Sequence, residues 1–206
     1  MMLLVVDIGL SNLASVKRAF EIVGGEVVIS AASGVISNAD AIVLPGVGAF
    51  ADGMSVLEKR NLISPLRHAS ESGIPILGIC LGMQLLAGRS EEGGSHEGLG
   101  LIEGDCIRLE PGQTTDRVPN IGWCDIKPVN RSVLFNEKNS SGSYYFSHSF
   151  YLDCDEKIKT ASIEFGDGYI TAAIECNNIF GVQFHPEKSQ DFGLDILSAF
   201  MRRIKN

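Results

Sequence analysis

The sequence predicts an α/β fold: a mostly parallel central sheet flanked by helices, with an additional antiparallel portion in the second half. Three observations carry this. In the first half, short aliphatic runs without polar alternation, the mark of strands buried on both faces, take turns with helical patterns. From Gly98 onward the texture changes to short strand-like pieces joined by Gly, Pro and Asn, which favour antiparallel pairing. The composition, 45% apolar and 20% charged over 206 residues, is that of a globular chain and excludes disordered, collagen-like or coiled-coil classes. With no internal repeat, low-complexity segment or evident linker, residues 1–206 are expected to form a single domain.

Residues 3–7 read as a buried strand, four aliphatic residues ending on Asp7, and not as a signal peptide, because no basic residue precedes them. Residues 11–23 read as a helix: Leu13, Val16, Phe20 and Val23 share one face, and Ser11 or Asn12 supplies the cap. Strands follow at 26–29 and 41–44, the latter running into Pro45-Gly46-Val47-Gly48. A helical stretch covers 52–72 with a break near Pro65, since proline removes a hydrogen-bond donor and crowds the preceding turn. Strand 75–79 leads into helix 81–86. In the second half, 101–102, 106–109, 123–126 and 144–151 are the strand-like pieces. Segments 157–165 and 169–176 flank Gly166-Asp167-Gly168, a hairpin turn signal. A last buried strand at 179–184 and a closing amphipathic helix at 191–204 complete the pattern.

Lys and Arg number 17 against 25 Asp and Glu, a net charge of -8, which argues against a nucleic-acid partner, whose phosphates call for a basic face. No apolar run approaches the ~18 residues of a membrane span, so no membrane partner is expected. The cysteines at 80, 106, 124, 154 and 176 are odd in number and form no CxxC, which fits a reduced, cytoplasmic compartment. No HExxH or comparable ligand spacing points to a metal.

Chemistry concentrates at three places. Gly78-Ile79-Cys80-Leu81-Gly82 matches a nucleophile elbow with Cys in the place of Ser: a sharp strand-to-helix turn needs bare backbone on either side of the nucleophile. The helix start beside it favours thiolate over thiol. His185 follows a buried strand at the sheet edge where open α/β folds place their sites, and Glu187, held by the turn at Pro186, can reach its far nitrogen. Pro45-Gly46-Val47-Gly48 ends another strand and can aim a backbone amide at a developing oxyanion, with the Leu81 amide as second donor. Taken one at a time, each has a plain alternative: a small buried cysteine, a histidine satisfied by backbone, an ordinary turn.

Together these segments, with Met83-Gln84 after the elbow and Gly181-Val182-Gln183-Phe184 before His185, resemble the triad-type (class I) glutamine amidotransferases, a flavodoxin-like α/β family. Asp7-Ile8-Gly9, Asn12-Leu13, residues 97–101, Val118-Pro119, Gly122-Trp123, Tyr145-Phe146 and His148-Ser149 narrow the likeness to glutaminase subunits of imidazole glycerol-phosphate synthase, over essentially the whole chain. The resemblance implies hydrolysis of glutamine to glutamate and ammonia. Cys80 would attack the side-chain amide, His185 would move the proton, Glu187 would orient His185, and the amides near Val47 and Leu81 would hold the oxyanion. Gly48, Gln84, Ser149 and Phe150 would bind the amino-acid end of glutamine. Neither cofactor nor metal is implied. The ammonia would pass to a separate (β/α)8-barrel cyclase subunit in a heterodimer serving histidine synthesis, with Asn12, Trp123 and Lys188 at the interface.

Three departures fall near that partner face: Leu10-Ser11 where a glycine-containing pair is frequent, Asn120 where histidine is common, and Cys124 where asparagine usually follows Gly-Trp. Alternatives on the same residues are a paralogue supplying ammonia for a surface-polysaccharide sugar, a free-standing peptidase or γ-glutamyl hydrolase, and a binding module without turnover.

Overall fold

The computed structural model describes residues 2–136 and 139–205. Along the chain run β1 (Met2–Val6), α1 (Leu13–Ile22), β2 (Glu26–Ser30), α2 (Ser33–Ile36), β3 (Ala41–Gly46), α3 (Phe50–Lys59), α4 (Ile63–Glu71), β4 (Ile76–Cys80) and α5 (Leu81–Leu85). The second half adds β5 (Arg89–Ser90), β6 (His96–Glu97), β7 (Gly104–Arg108), β8 (Asn120–Asp125), β9 (Lys127–Pro128), β10 (Ser143–His148), β11 (Phe150–Cys154), β12 (Lys159–Phe165), β13 (Gly168–Cys176) and β14 (Ile179–Val182). A 3-10 turn over Pro186–Lys188 and α6 (Gln190–Lys205) close the chain.

The main sheet has eight strands in the order β2-β1-β3-β4-β14-β13-β12-β9. Its first five strands are parallel, and β13, β12 and β9 extend it antiparallel. Alternate residues of β1 show why helices cover both faces: Leu3 and Val5 pack with Phe20 of α1 and Phe200 of α6, Leu4 and Val6 with Leu57 of α3 and Leu66 of α4. Beside the main sheet lie a ribbon, β10-β8, and a four-stranded sheet, β11-β7-β5-β6. The β12–β13 hairpin turns at Gly166, whose φ of +59° suits the first central position of a two-residue loop.

Three expectations need correction. The break in the helical stretch 52–72 is not at Pro65 but at residues 60–62, where Asn61 takes φ +54°. Pro65 sits in the first turn of α4, where a missing N–H costs nothing because those amides have no intrahelical partner. Leu101-Ile102 is no strand: both N–H groups donate to the Leu86 carbonyl and finish off the end of α5. Residues 144–151 are not one strand but parts of β10 and β11, in different sheets, with Ser149 at the corner and its carbonyl accepting from the Leu109 N–H.

Candidate active site

The elbow glycines are demanded by close approach. A Cβ on Gly82 would lie 1.7 Å from the Leu44 carbonyl oxygen, and one on Gly78 would lie 2.7 Å from the Gly82 carbonyl. Because β4 can therefore turn into α5 with almost no clearance, the residue between bears the strain: Cys80 has φ +54° and ψ −112°, a conformation non-glycine residues rarely adopt. Its side chain is turned to the sheet edge, in weak contact with the Ser147 carbonyl (3.9 Å) and the Gln183 amide nitrogen (3.8 Å). α5 is only five residues long, so its dipole is a minor influence on the sulfur.

Pairing of Val182 with Ile79 and of Gly46 with Cys80 brings the carboxyl ends of β14, β4 and β3 side by side. His185 leaves β14 at that edge, its N–H donating to the Tyr145 carbonyl at 2.9 Å. Its Nδ1 lies 2.8 Å from Glu187 Oε1, and both side chains are only 4% exposed. The carboxylate accepts, so Nδ1 carries the hydrogen and Nε2 is left for the sulfur. Burial works against the charged imidazolium, but hydrogen bonds to Cys80 and Glu187 and attraction to both outweigh it and push His185 up to about 9.

A cavity of about 230 Å³ opens over this cluster and is lined by Cys80, Leu81, Gly48, Gln84, Ser149 and Phe150. That volume is below the ~300–1,000 Å³ of drug-sized sites and suits a small metabolite. Gln84 is buried, and its amide group donates to the Phe150 carbonyl (2.8 Å) and to Gln183 Oε1 (3.0 Å), which leaves only its own carbonyl for a ligand. Val47 also lines the cavity, yet its N–H donates to the Leu10 carbonyl at 2.6 Å and so does not face Cys80. The hole anticipated from Val47 and Leu81 therefore lacks its Val47 donor in this conformation.

Three further residues of the site were given no role from the sequence. His148 lines the cavity; its Nδ1 donates to the Phe150 carbonyl (2.8 Å) and its Nε2 accepts from Asn120 (3.2 Å). Burial lowers its pKa to about 4, with a smaller contribution from nearby His185, so it is neutral. Gln183 is fully buried between Gln84 and Cys80; a lone amide inside an otherwise apolar strand was the available signal. Glu92 lines the cavity and accepts from the Phe50 N–H with Oε2 at 2.7 Å, fixing its carboxylate at the wall. Nothing in the local sequence around Glu92 marks it.

Of Trp123, Lys188 and Asn12, Lys188 lines this cavity. Trp123 is 49% exposed and packs edge-on against Tyr145 (6.1 Å between ring centroids), so it is no core residue. Lys188 Nζ lies 5.4 Å from the centre of the same ring, and Asn12 caps α1 through Ser15. The departures have local partners: Asn120 holds His148 and touches Cys124 Sγ at 3.7 Å, and Leu10 holds Val47.

Comparison with known proteins identifies the family. The family model for class-I glutamine amidotransferases matches residues 4–204. The imidazole glycerol phosphate synthase subunit HisH of Moorella thermoacetica is 39% identical over 98% of this chain and 95% of its own. The protein of the same name from Aquifex aeolicus is 43% identical over 97% and 95%. Among solved structures, PurLQS from Thermotoga maritima superposes with a TM-score of 0.75 at 20% identity, covering 98% of each chain. A glutamine amidotransferase from the same organism gives 0.70 at 15%, covering 99% of this chain and 97% of its own; at such identities these two speak for the fold alone. With a family model spanning nearly its whole length around a Cys80 elbow, the chain belongs to the class-I glutamine amidotransferases and groups with the HisH subunits.

Proposed function

We propose that this amidotransferase is the glutaminase subunit of an imidazole glycerol phosphate synthase and that Cys80, His185 and Glu187 carry out its hydrolysis. The observation that carries the reading is Cys80, strained at the elbow and sharing one cavity with a His185 that Glu187 orients from 2.8 Å. The Cys80 sulfur attacks the side-chain amide carbon of glutamine. His185 holds the thiol proton and delivers it to the nitrogen as the C–N bond breaks, releasing ammonia and leaving a glutamyl thioester. Water, deprotonated by His185, then cleaves the thioester to glutamate.

Glu92 offers its fixed carboxylate to the substrate ammonium group, while Gly48, the Gln84 carbonyl, Ser149 and Phe150 meet the rest of the amino-acid end. The Leu81 N–H, among the first amides of α5, is one oxyanion donor. The second has to come from the Val47–Gly48 turn, which must first release the Leu10 carbonyl. Loss of one such donor costs roughly 100- to 1,000-fold in rate, so the isolated chain is a slow glutaminase that a partner accelerates. The partner is a (β/α)8-barrel cyclase that takes up the ammonia in a heterodimer, docking over Asn12, Trp123 and Lys188. The cytoplasm suits the five free cysteines and the absence, among the described residues, of any helix long and apolar enough to cross a membrane.

The test is glutamate release from glutamine by the chain together with its barrel partner, with and without the nucleotide that the cyclase consumes. Stimulation by that nucleotide and loss of release in Cys80→Ala are expected. Substantial turnover by Cys80→Ala removes the nucleophile assignment, and indifference to the nucleotide moves the chain to another ammonia-using pathway.

A further inference from the structure

A second, much smaller cavity, of about 20 Å³, borders His185 and Glu187; Ser11, Pro45, Val47 and Ile79 are part of its wall. Two oxygens belonging to wall residues, Ser11 Oγ and Glu187 Oε2, are fully buried and have no hydrogen-bond partner among the described residues. Buried polar atoms are nearly always paired, and a buried carboxylate oxygen has the most to lose by going without. Glu187 cannot meet the need by turning, because its other oxygen is committed to His185 Nδ1. A water needs about 10–15 Å³ and at least two polar partners. The cavity admits one such molecule and nothing larger. A carboxylate oxygen only accepts, whereas a hydroxyl both donates and accepts, so a water placed between them satisfies both.

We propose that Ser11 Oγ and Glu187 Oε2 share one buried water, and that Ser11 is thereby a positioning residue that fixes Glu187, and through it His185. The inference rests on Cys80, His185 and Glu187 being the hydrolytic set. It assigns a purpose to a position where the sequence departs from the glycine-containing pair frequent in its family. The turn that carries Ser11 also supplies the Leu10 carbonyl that holds the Val47 N–H. It is itself anchored by the Gly9 N–H on Asp7 Oδ1 (2.7 Å) and by Asn12 capping α1. One short turn thus touches both the oxyanion strand and the far side of the Glu187–His185 pair.

The experiment measures kcat, KM and pH dependence of glutamate release by the complex with its barrel partner, for wild type, Ser11→Ala, Glu187→Gln and the double variant. The titratable and charged groups around the pair are Cys80 at the end of β4, His148 and Tyr145 on β10, and Lys188 on the 3-10 turn; all are kept in every variant. In Ser11→Ala the water loses one anchor and Glu187 is held less firmly against His185 Nδ1. The alkaline limb set by His185 is then expected to move to lower pH, with kcat down roughly tenfold and KM for glutamine little changed. Ser11→Ala is expected to add nothing on a Glu187→Gln background. A high-resolution crystal structure of the wild type is expected to show a single density peak in the cavity. Additive effects of the two substitutions, an unmoved alkaline limb, or a cavity without density each overturn the proposal. Cys80→Ala separates the two questions. If it is inactive while the cycle is additive, only the role of Ser11 falls; if it is active, the hydrolytic set falls and the Ser11 role with it.

Discussion

His185 and His148 face the same cavity and are both nearly inaccessible, yet burial leaves them in opposite states. His148 has an amide and a carbonyl for partners, so nothing compensates a charge and it is held neutral, its pKa near 4. His185 has a carboxylate and a sulfur, which hold its proton to about 9 despite the same desolvation. The sign for folding follows. A folded pKa raised above the ordinary ~6.5 means that this pair contributes stability fully below about 6.5 and loses it as pH rises through about 9. The sign for turnover is the same if, as proposed, His185 holds the proton for departing ammonia. The kcat for glutamate release is expected to fall above about pH 9. In Glu187→Gln that limb should move to lower pH, with kcat reduced roughly 100-fold or more, since a neutral amide does not stabilise the imidazolium and its NH2 group can favour the wrong tautomer. An alkaline limb that stays in place in Glu187→Gln would show that Glu187 does not set the His185 charge. At this scale the sequence was readable where chemistry is local: Cys80 between glycines and Glu187 beside His185 announce themselves by spacing. His148, Gln183 and Glu92 join the site only through pairing of distant strands and loops, which no single segment encodes.

The elbow between β4 and α5 shows how an element is specified by what it excludes. Gly82 faces the Leu44 carbonyl of β3 so closely that a methyl group has no place, and both neighbours are backbone in the middle of the sheet. Gly82→Ala is therefore expected to cost at least about 3 kcal/mol, the upper range for overpacking, and to displace Cys80 with it. Gly34→Ala is the control: a Cβ there meets nothing within 4 Å and the residue lies in α2, so stability should be unchanged or raised by up to ~1 kcal/mol. Urea unfolding of both variants is the measurement, and a Gly82→Ala curve that overlays wild type would refute the packing account. The parallel strands and the elbow were legible because both rest on residue type at short range. The Pro65 break was misplaced because proline's effect depends on its position in the helix, and Asn61, which makes the actual turn, carries no exclusive signal. The corner at Ser149 was invisible for a related reason: alternation continues through it while the chain changes sheets.

On the scale of the whole molecule, the site is built along an open sheet edge beside an exposed cluster of unlike groups. Trp123 stands half-exposed against Tyr145, the Lys188 ammonium lies over the same Tyr145 ring, and Tyr145 in turn lies 6.4 Å from His185. A tryptophan left half in water has part of its ring uncovered by the chain, and aromatic residues of this kind anchor interfaces. The cluster is linked to the reaction by more than proximity: the backbone of Tyr145 accepts from the His185 N–H and donates to Ser189 Oγ, whose hydroxyl bonds the His185 carbonyl at 2.6 Å. A partner seated on Trp123 and Lys188 therefore presses on the strand that holds His185, and near Asn12 it reaches the turn whose Leu10 carbonyl holds the Val47 N–H. Trp123→Ala is expected to weaken binding of the barrel partner roughly 30-fold, the effect of losing one interface anchor worth about 2 kcal/mol. It should lower partner-stimulated glutamate release at limiting partner, leave the basal rate of the isolated chain alone, and change the chain's own stability by no more than ~0.5 kcal/mol. Titration calorimetry with the partner and thermal unfolding of the free chain decide the matter. Undiminished affinity together with a lowered melting temperature would make Trp123 a packing residue of the β8–β10 ribbon and return the docking face to another part of the surface.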